Sequence, residues 1–148
     1  MSYQHILVPV DGSPTALSAI TQAAKLAITY NSQVTVILVI SPDVLIDVES
    51  INTSDFEALD HSQQMIKNIV DEAKAKFTQL GVDANTLIVS GYEIDKEIVK
   101  AAHELHIDLV VMGSHGSSGF KKLILGSVTE KLLRDIHVPV LVVRPEES

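Results

Sequence analysis

Cysteine is absent from the 148 residues of this chain. That excludes disulfides, thiolate metal centres and cysteine nucleophiles together, and it fits a reducing compartment. Positive charge is also scarce: 11 Lys and Arg stand against 19 Asp and Glu, for a formal net charge of −8. No long basic cluster offsets this balance, so a nucleic-acid backbone would meet repulsion over most of the surface. No nucleic-acid partner is expected. A nucleotide is not excluded, because it needs only a locally positive pocket. Long hydrophobic runs are missing too. The apolar stretches are strand-sized, well short of the roughly 20 residues of a membrane helix. The opening Met-Ser-Tyr-Gln-His-Ile-Leu-Val-Pro lacks the basic region and apolar core of a secretion signal. The expectation is a cytoplasmic protein with no membrane partner.

Several catalytic signatures are missing as well. Gly-x4-Gly-Lys-(Ser/Thr) does not occur, so lysine-driven hydrolysis on a phosphate loop is not implied. The Gly-x-Ser-x-Gly elbow of serine hydrolases is absent, as is the Ser-Gly-Gly-x-Asp-Ser loop of ATP pyrophosphatases. Six histidines are scattered along the chain. His103 and His106 lie three apart near a helix end, where polar or cationic groups suit the dipole. No metal site is expected.

What is present is a composition of 46% hydrophobic and 20% charged residues, which suits a single domain over 1–148 with a real core. Five short runs rich in β-branched residues recur, at 6–10, 34–40, 86–89, 109–112 and 138–143. Each is apolar nearly throughout, the pattern of strands buried on both faces of a parallel sheet. Helical spacing fills the gaps. Leu17, Ile20, Ala24 and Ala27 share one face. Leu59, Ile66, Ile69, Ala73, Phe77 and Leu80 share a second, and Ile94, Ile98, Ala101 and Leu105 a third. Val128, Leu132 and Ile136 mark a shorter fourth helix. Ser13 before Pro14 reads as an N-cap with proline at the first helical position. Gly81 reads as a left-handed helix stop, and Pro139 suits the start of an edge strand. The alternation β-α-β-α-β-α-β-α-β gives an α/β, doubly wound domain. Residues 41–57 show no clear period, and a loop of that length covers a site, packs on a partner subunit or is mobile.

The most informative stretch is 113–127, Gly-Ser-His-Gly-Ser-Ser-Gly-Phe-Lys-Lys-Leu-Ile-Leu-Gly-Ser. Glycine admits close backbone approach to an anion and tolerates positive φ. A helix opening at Ser127 would aim unpaired N–H groups and its dipole at the same anion. The alternative is an ordinary turn followed by a helix cap. In open parallel sheets ligands sit beyond the carboxyl ends of the strands, where the winding reverses. Asp11 ends the first strand there. Its carboxylate would accept hydrogen bonds from a ribose or a base edge, or else form an Asx-turn capping the first helix.

These blocks resemble the universal stress protein family, in its nucleotide-binding branch. The Gly-x2-Gly-x9-Gly-(Ser/Thr) signature of that branch is met by Gly113, Gly116, Gly126 and Ser127. The resemblance runs through the Ile-Leu-Val-Pro-Val-Asp-Gly-Ser of 6–13, the Asp-Leu-Val-Val-Met-Gly-Ser-His-Gly of 108–116, Gly-Ser-Val-Thr-Glu at 126–130 and Val-Pro-Val-Leu-Val-Val at 138–143. It implies an open five-stranded parallel sheet of order 3-2-1-4-5, with helices on both faces, in a Rossmann-like fold shared with adenine nucleotide hydrolases. It implies ATP, or a related adenine nucleotide, between strands 1 and 4, with a divalent cation such as Mg carried on the phosphates. By family pattern Pro9, Val10 and Asp11 meet the adenine and ribose. Val39 packs on the base, and Met112 and Gly113 lie along the nucleotide. Gly116, Gly126, Ser127, Val128 and Thr129 hold the phosphates. His115, inside the glycine loop, is the one histidine expected near the ligand, where it contacts a phosphate or shapes the loop. Lys121 and Lys122, in the spacer, either reach phosphates or stay solvated. The family also implies a homodimer paired through the last strand, from Val138 to Val143. One departure is Gly91-Tyr92-Glu93 where many members carry Gly-x-Pro, which leaves the approach of the third helix open.

The function this implies is an ATP-binding stress-response protein that works through nucleotide-dependent conformation or partner binding. Its rival is a slow ATPase or autophosphorylating enzyme. Phosphoryl transfer needs a general base and a charge clamp, and neither stands out in the sequence, so no catalytic residue is assigned.

Overall fold

The computed structural model describes residues 3–42, 56–114 and 126–144. In chain order these form β1 (His5–Pro9), α1 (Pro14–Tyr30), β2 (Gln33–Ile40), α2 (Phe56–Gln79), β3 (Ala84–Ser90), α3 (Ile94–Glu104), β4 (Leu109–Gly113), α4 (Ser127–Asp135) and β5 (Val140–Val143). The strands make one parallel sheet of order β3-β2-β1-β4-β5. Winding therefore runs outward from β1 through β2 to β3, then returns to β4 on the other side of β1.

Strand periodicity divides the core between the two faces of the sheet. Ile6 and Val8 of β1, with Val34 and Val36 of β2, join Ala19, Ala23 and Phe77 of α1 and α2. Leu7 and Ile37, one residue out of phase, join Ile98 of α3 and Leu132 of α4. Alanines let α1 sit close to the sheet at Ala16, Ala19, Ala23 and Ala27, all buried. Leu17, expected on that face, is 50% exposed instead. Ile20, Ala24 and Ala27 are buried as expected, and Ala16 stands in the core beside them where Leu17 does not.

The central strands are buried on both faces, as their composition requires. The edges are not. Along β3, Thr86 and Ile88 are exposed, and in β5 Leu141 is exposed. These strands lack a neighbour on one side among the described residues, so apolar composition overstated their burial. β3 is longer than its apolar run, since Ala84 to Ser90 stay in register with Val34 to Ile40. β5 is shorter: Pro139 precedes the ladder, although its carbonyl still accepts the Val110 N–H at 3.0 Å.

Helix ends show where local chemistry decides. After α2, the Gly81 N–H reaches the Thr78 carbonyl and the Val82 N–H reaches that of Phe77, with Gly81 at φ +86. This is the double bond of a Schellman stop. The same pattern ends α3, where His106 takes the left-handed position at φ 55 and Ile107 N–H reaches the Ala102 carbonyl. Asn31, also at φ 55, ends α1. The start of α3 needs no proline: Glu93 sits at the N-cap in extended conformation, and its carbonyl accepts the Glu97 N–H. Its carboxylate pairs with Lys96 at 2.8 Å. That hydrogen bond and charge hold the Glu93 carboxyl below, and the Lys96 ammonium above, their ordinary ranges.

Candidate functional site

Where the winding reverses, between β1 and β4, the helices diverge and leave a cleft of about 310 Å³ beyond the strand ends. Pro9, Val10 and Asp11 line it from the end of β1, and Met112 and Gly113 from the end of β4. Gly126, Ser127, Val128 and Thr129 bring in the first turn of α4. The structure thus gathers these sequence-selected positions around one cavity. Val39 lies apart from the lining; it pairs with Val89 of β3 and packs into the core under α3. His115, Gly116, Lys121, Lys122 and most of the 41–57 segment lie outside the described residues.

The local chemistry at β1 is a tight turn. Asp11 Oδ1 accepts the Ser13 N–H at 2.9 Å, which makes an Asx-turn. Gly12 between them has φ +82, and a Cβ there would come 3.3 Å from Ile69 Cδ1 of α2. Ser13 holds the N-cap position of α1, with Pro14 following, but makes no capping bond. Its hydroxyl pairs with that of Thr15 at 3.0 Å instead.

At β4 the glycine has a packing reason. A Cβ on Gly113 would stand 3.2 Å from the Cβ, the carbonyl oxygen and Oγ1 of Thr15. Its absence lets the β4 end touch the start of α1. Thr129 Oγ1 donates to the Gly113 carbonyl at 3.3 Å, so this hydroxyl ties α4 to β4. The ends of the intervening segment are clasped, since the Gly126 N–H donates to the Ser114 carbonyl at 2.8 Å. Ser114 in turn donates its N–H to Val143 of β5. Gly126, the N-cap of α4, has φ −62 and ψ 154. Those angles suit any residue, so positive φ is not why glycine stands there. Helix geometry leaves the N–H groups of Ser127, Val128 and Thr129 without intrahelical acceptors, an arrangement that suits an anion.

Sequence reasoning missed Ser13, Thr15, Ala16, Ile94 and Ile98, which complete the lining. Ser13, Thr15 and Ala16 follow directly on the β1 turn and were legible by proximity. Ile94 and Ile98 come from α3, across the sheet, and only the tertiary fold brings them in. Asp11 is the sole carboxylate among the described lining residues. No cluster of three metal-ligating His, Asp or Glu side chains occurs among the described residues, and none of their helices is long and apolar enough to cross a membrane.

Comparison with known proteins agrees with this architecture. The universal stress protein family model matches residues 2–144. Universal stress protein MJ0531 of Methanocaldococcus jannaschii is 33% identical, covering 96% of this chain and 82% of that protein. MJ0577 of the same organism is 30% identical over 99% of this chain and 98% of its own. Its solved structure superposes with a TM-score of 0.80, covering all of both chains. A universal stress protein solved in complex with cAMP is 25% identical, with a TM-score of 0.74, over 99% of this chain and all of that one. From its β1 turn to its last strand, this chain belongs to the universal stress protein family.

Proposed function

We propose that the cleft between β1 and β4 binds an adenine nucleotide, ATP or a close relative, and that binding tunes conformation or partner choice in a stress response. The observation that carries this reading is the convergence on one cavity of the Asp11 turn, the apolar ends of β1 and β4, and the open first turn of α4. Phosphates suit the α4 end, where N–H groups and the helix dipole face the anion. A nucleoside suits the opposite end, which pairs one carboxylate with apolar walls. The related protein bound to cAMP supports an adenine ligand. A cavity of about 310 Å³ is at the lower end of the usual range for small-molecule sites. A divalent cation such as Mg would ride on the phosphates, with Asp11 the nearest lining carboxylate. The protein acts in the cytoplasm as a homodimer, joined through β5.

Binding rather than turnover is the role we propose for the site. Asp11 is already engaged by the Ser13 N–H and lies at the sugar end. Mass spectrometry of the purified protein without added nucleotide, followed by calorimetry with ATP, ADP and AMP, tests the proposal. A retained adenine nucleotide, or saturable binding at one site per chain, is expected. The reading fails if none of the three nucleotides binds.

A further inference from the structure

Ile94 is a large aliphatic side chain left 40% exposed at the first position of α3, and it lines the cleft. Helix periodicity would place it with the core stripe of Ile98, Ala101 and Leu105. One turn on, Ile98 is fully buried and still lines the cavity. So the apolar stripe of α3 continues past the core and emerges as one wall of the site. The wall has a definite place. α3 packs over β2 and α4 lies beside it over the return side of the sheet. Ile94 therefore enters the cleft from the α3 wall, one turn above Ile98. Met112, which also lines the cleft, shares the core cluster of Ile98. An exposed isoleucine above such a floor gains free energy when a flat apolar surface covers it.

Resting on the nucleotide reading, we infer that Ile94 is a specificity-determining residue that packs on the base of the bound nucleotide. It closes the apolar half of the cleft over the ring face and makes no contact with the phosphates. Its side chain carries no hydrogen-bonding atom, so it favours a bound base over a bare phosphate chain. It does so without reading the base edge. Because the residue begins the helix and is partly exposed, its replacement leaves the fold intact.

Calorimetry on Ile94→Thr and Ile94→Leu, with ATP, adenosine and inorganic tripolyphosphate as probes, tests this. Covering the exposed part of one isoleucine corresponds to roughly a three- to eightfold change in Kd. Ile94→Thr should weaken ATP and adenosine by that same factor and leave tripolyphosphate unchanged, while Ile94→Leu stays close to the native affinities. Tyr92→Thr, which alters an exposed ring two residues away, serves as the control and should change none of them. Unaltered ATP affinity in Ile94→Thr overturns the inference while the nucleotide reading stands. So does an equal loss for tripolyphosphate, which would mean that the variant disturbs the whole cleft. If the native protein binds no nucleotide at all, both fall, and that result is read before any variant is made.

Discussion

One oxygen of Asp11, Oδ1, is taken by the Ser13 N–H, so turn chemistry and ligand chemistry meet in a single carboxylate. The two roles separate by substitution. Asp11→Asn keeps an acceptor for the turn, and its stability should stay within about 0.5 kcal/mol of native. Asp11→Ala removes the acceptor and should cost about 0.5–1.5 kcal/mol in urea unfolding. If the carboxylate also holds the nucleoside, Asp11→Asn still loses ATP affinity, because charged hydrogen bonds are stronger than neutral ones. Native ATP affinity in Asp11→Asn would confine the residue to the turn. The glycines sort by the same logic. Gly113→Ala drives a Cβ to 3.2 Å from the Thr15 backbone, an overpacking that should cost about 1–3 kcal/mol in thermal melts. Gly126→Ser supplies an N-cap hydroxyl at ordinary angles and should hold or raise the melting temperature. Any affinity it loses then reports crowding of the ligand and not damage to the fold.

Elements were legible in proportion to how local their causes are. Gly81 announced the end of α2 because glycine takes positive φ at no steric cost. Asn31 and His106 do the same work for α1 and α3, and neither stood out, since both occur in many other settings. His106 is exposed at φ 55, where a side chain costs energy that glycine does not. His106→Gly should therefore stabilise the protein by about 0.5–1 kcal/mol in chemical denaturation. A destabilised variant would mean that the imidazole makes contacts worth more than the strain. The cleft followed the same rule. Residues at the ends of β1 and β4 were found from sequence, because strand ends and turns carry local signals. Ile94 was read as core, since its spacing matches Ile98 and Ala101. Only the placement of α3 across the sheet turns it into the site. The start of α3 likewise gained from a contact three residues long. Glu93 is held below its ordinary range by Lys96, so its contribution is present above the unfolded pKa and fades as pH falls through the depressed folded value. Both partners lie on the exposed surface, so Lys96→Met should leave the urea midpoint unchanged within error in neutral buffer, as surface pairs do.

For the molecule as a whole, the two sheet edges differ in what they offer a partner. β3 exposes Asn85, Thr86 and Ser90 along its length, polar groups that discourage pairing with another chain. β5 reads Val-Leu-Val-Val, with Leu141 38% exposed and no polar side chain within the strand. Its ladder to β4 satisfies one side only among the described residues. An apolar edge with unpaired N–H and C=O groups invites association, and Arg144 beyond the strand is too late to prevent it. Pairing β5 with the same strand of a second copy meets those groups by two-fold symmetry, which closes the assembly instead of propagating it. Such a contact would reach the cleft, since the Val143 carbonyl holds Ser114 and Ser114 holds Gly126 at the start of α4. A dimer seam at β5 would lie two hydrogen bonds from the phosphate end of the proposed site. Sedimentation velocity should find the native protein dimeric at micromolar concentration, and Leu141→Lys monomeric or aggregated. With the seam disrupted, ATP affinity should fall as well, because the Ser114 clasp loses support. A native monomer, or a Leu141→Lys variant that remains a stable dimer, would move the interface away from β5 and sever the link between assembly and ligand.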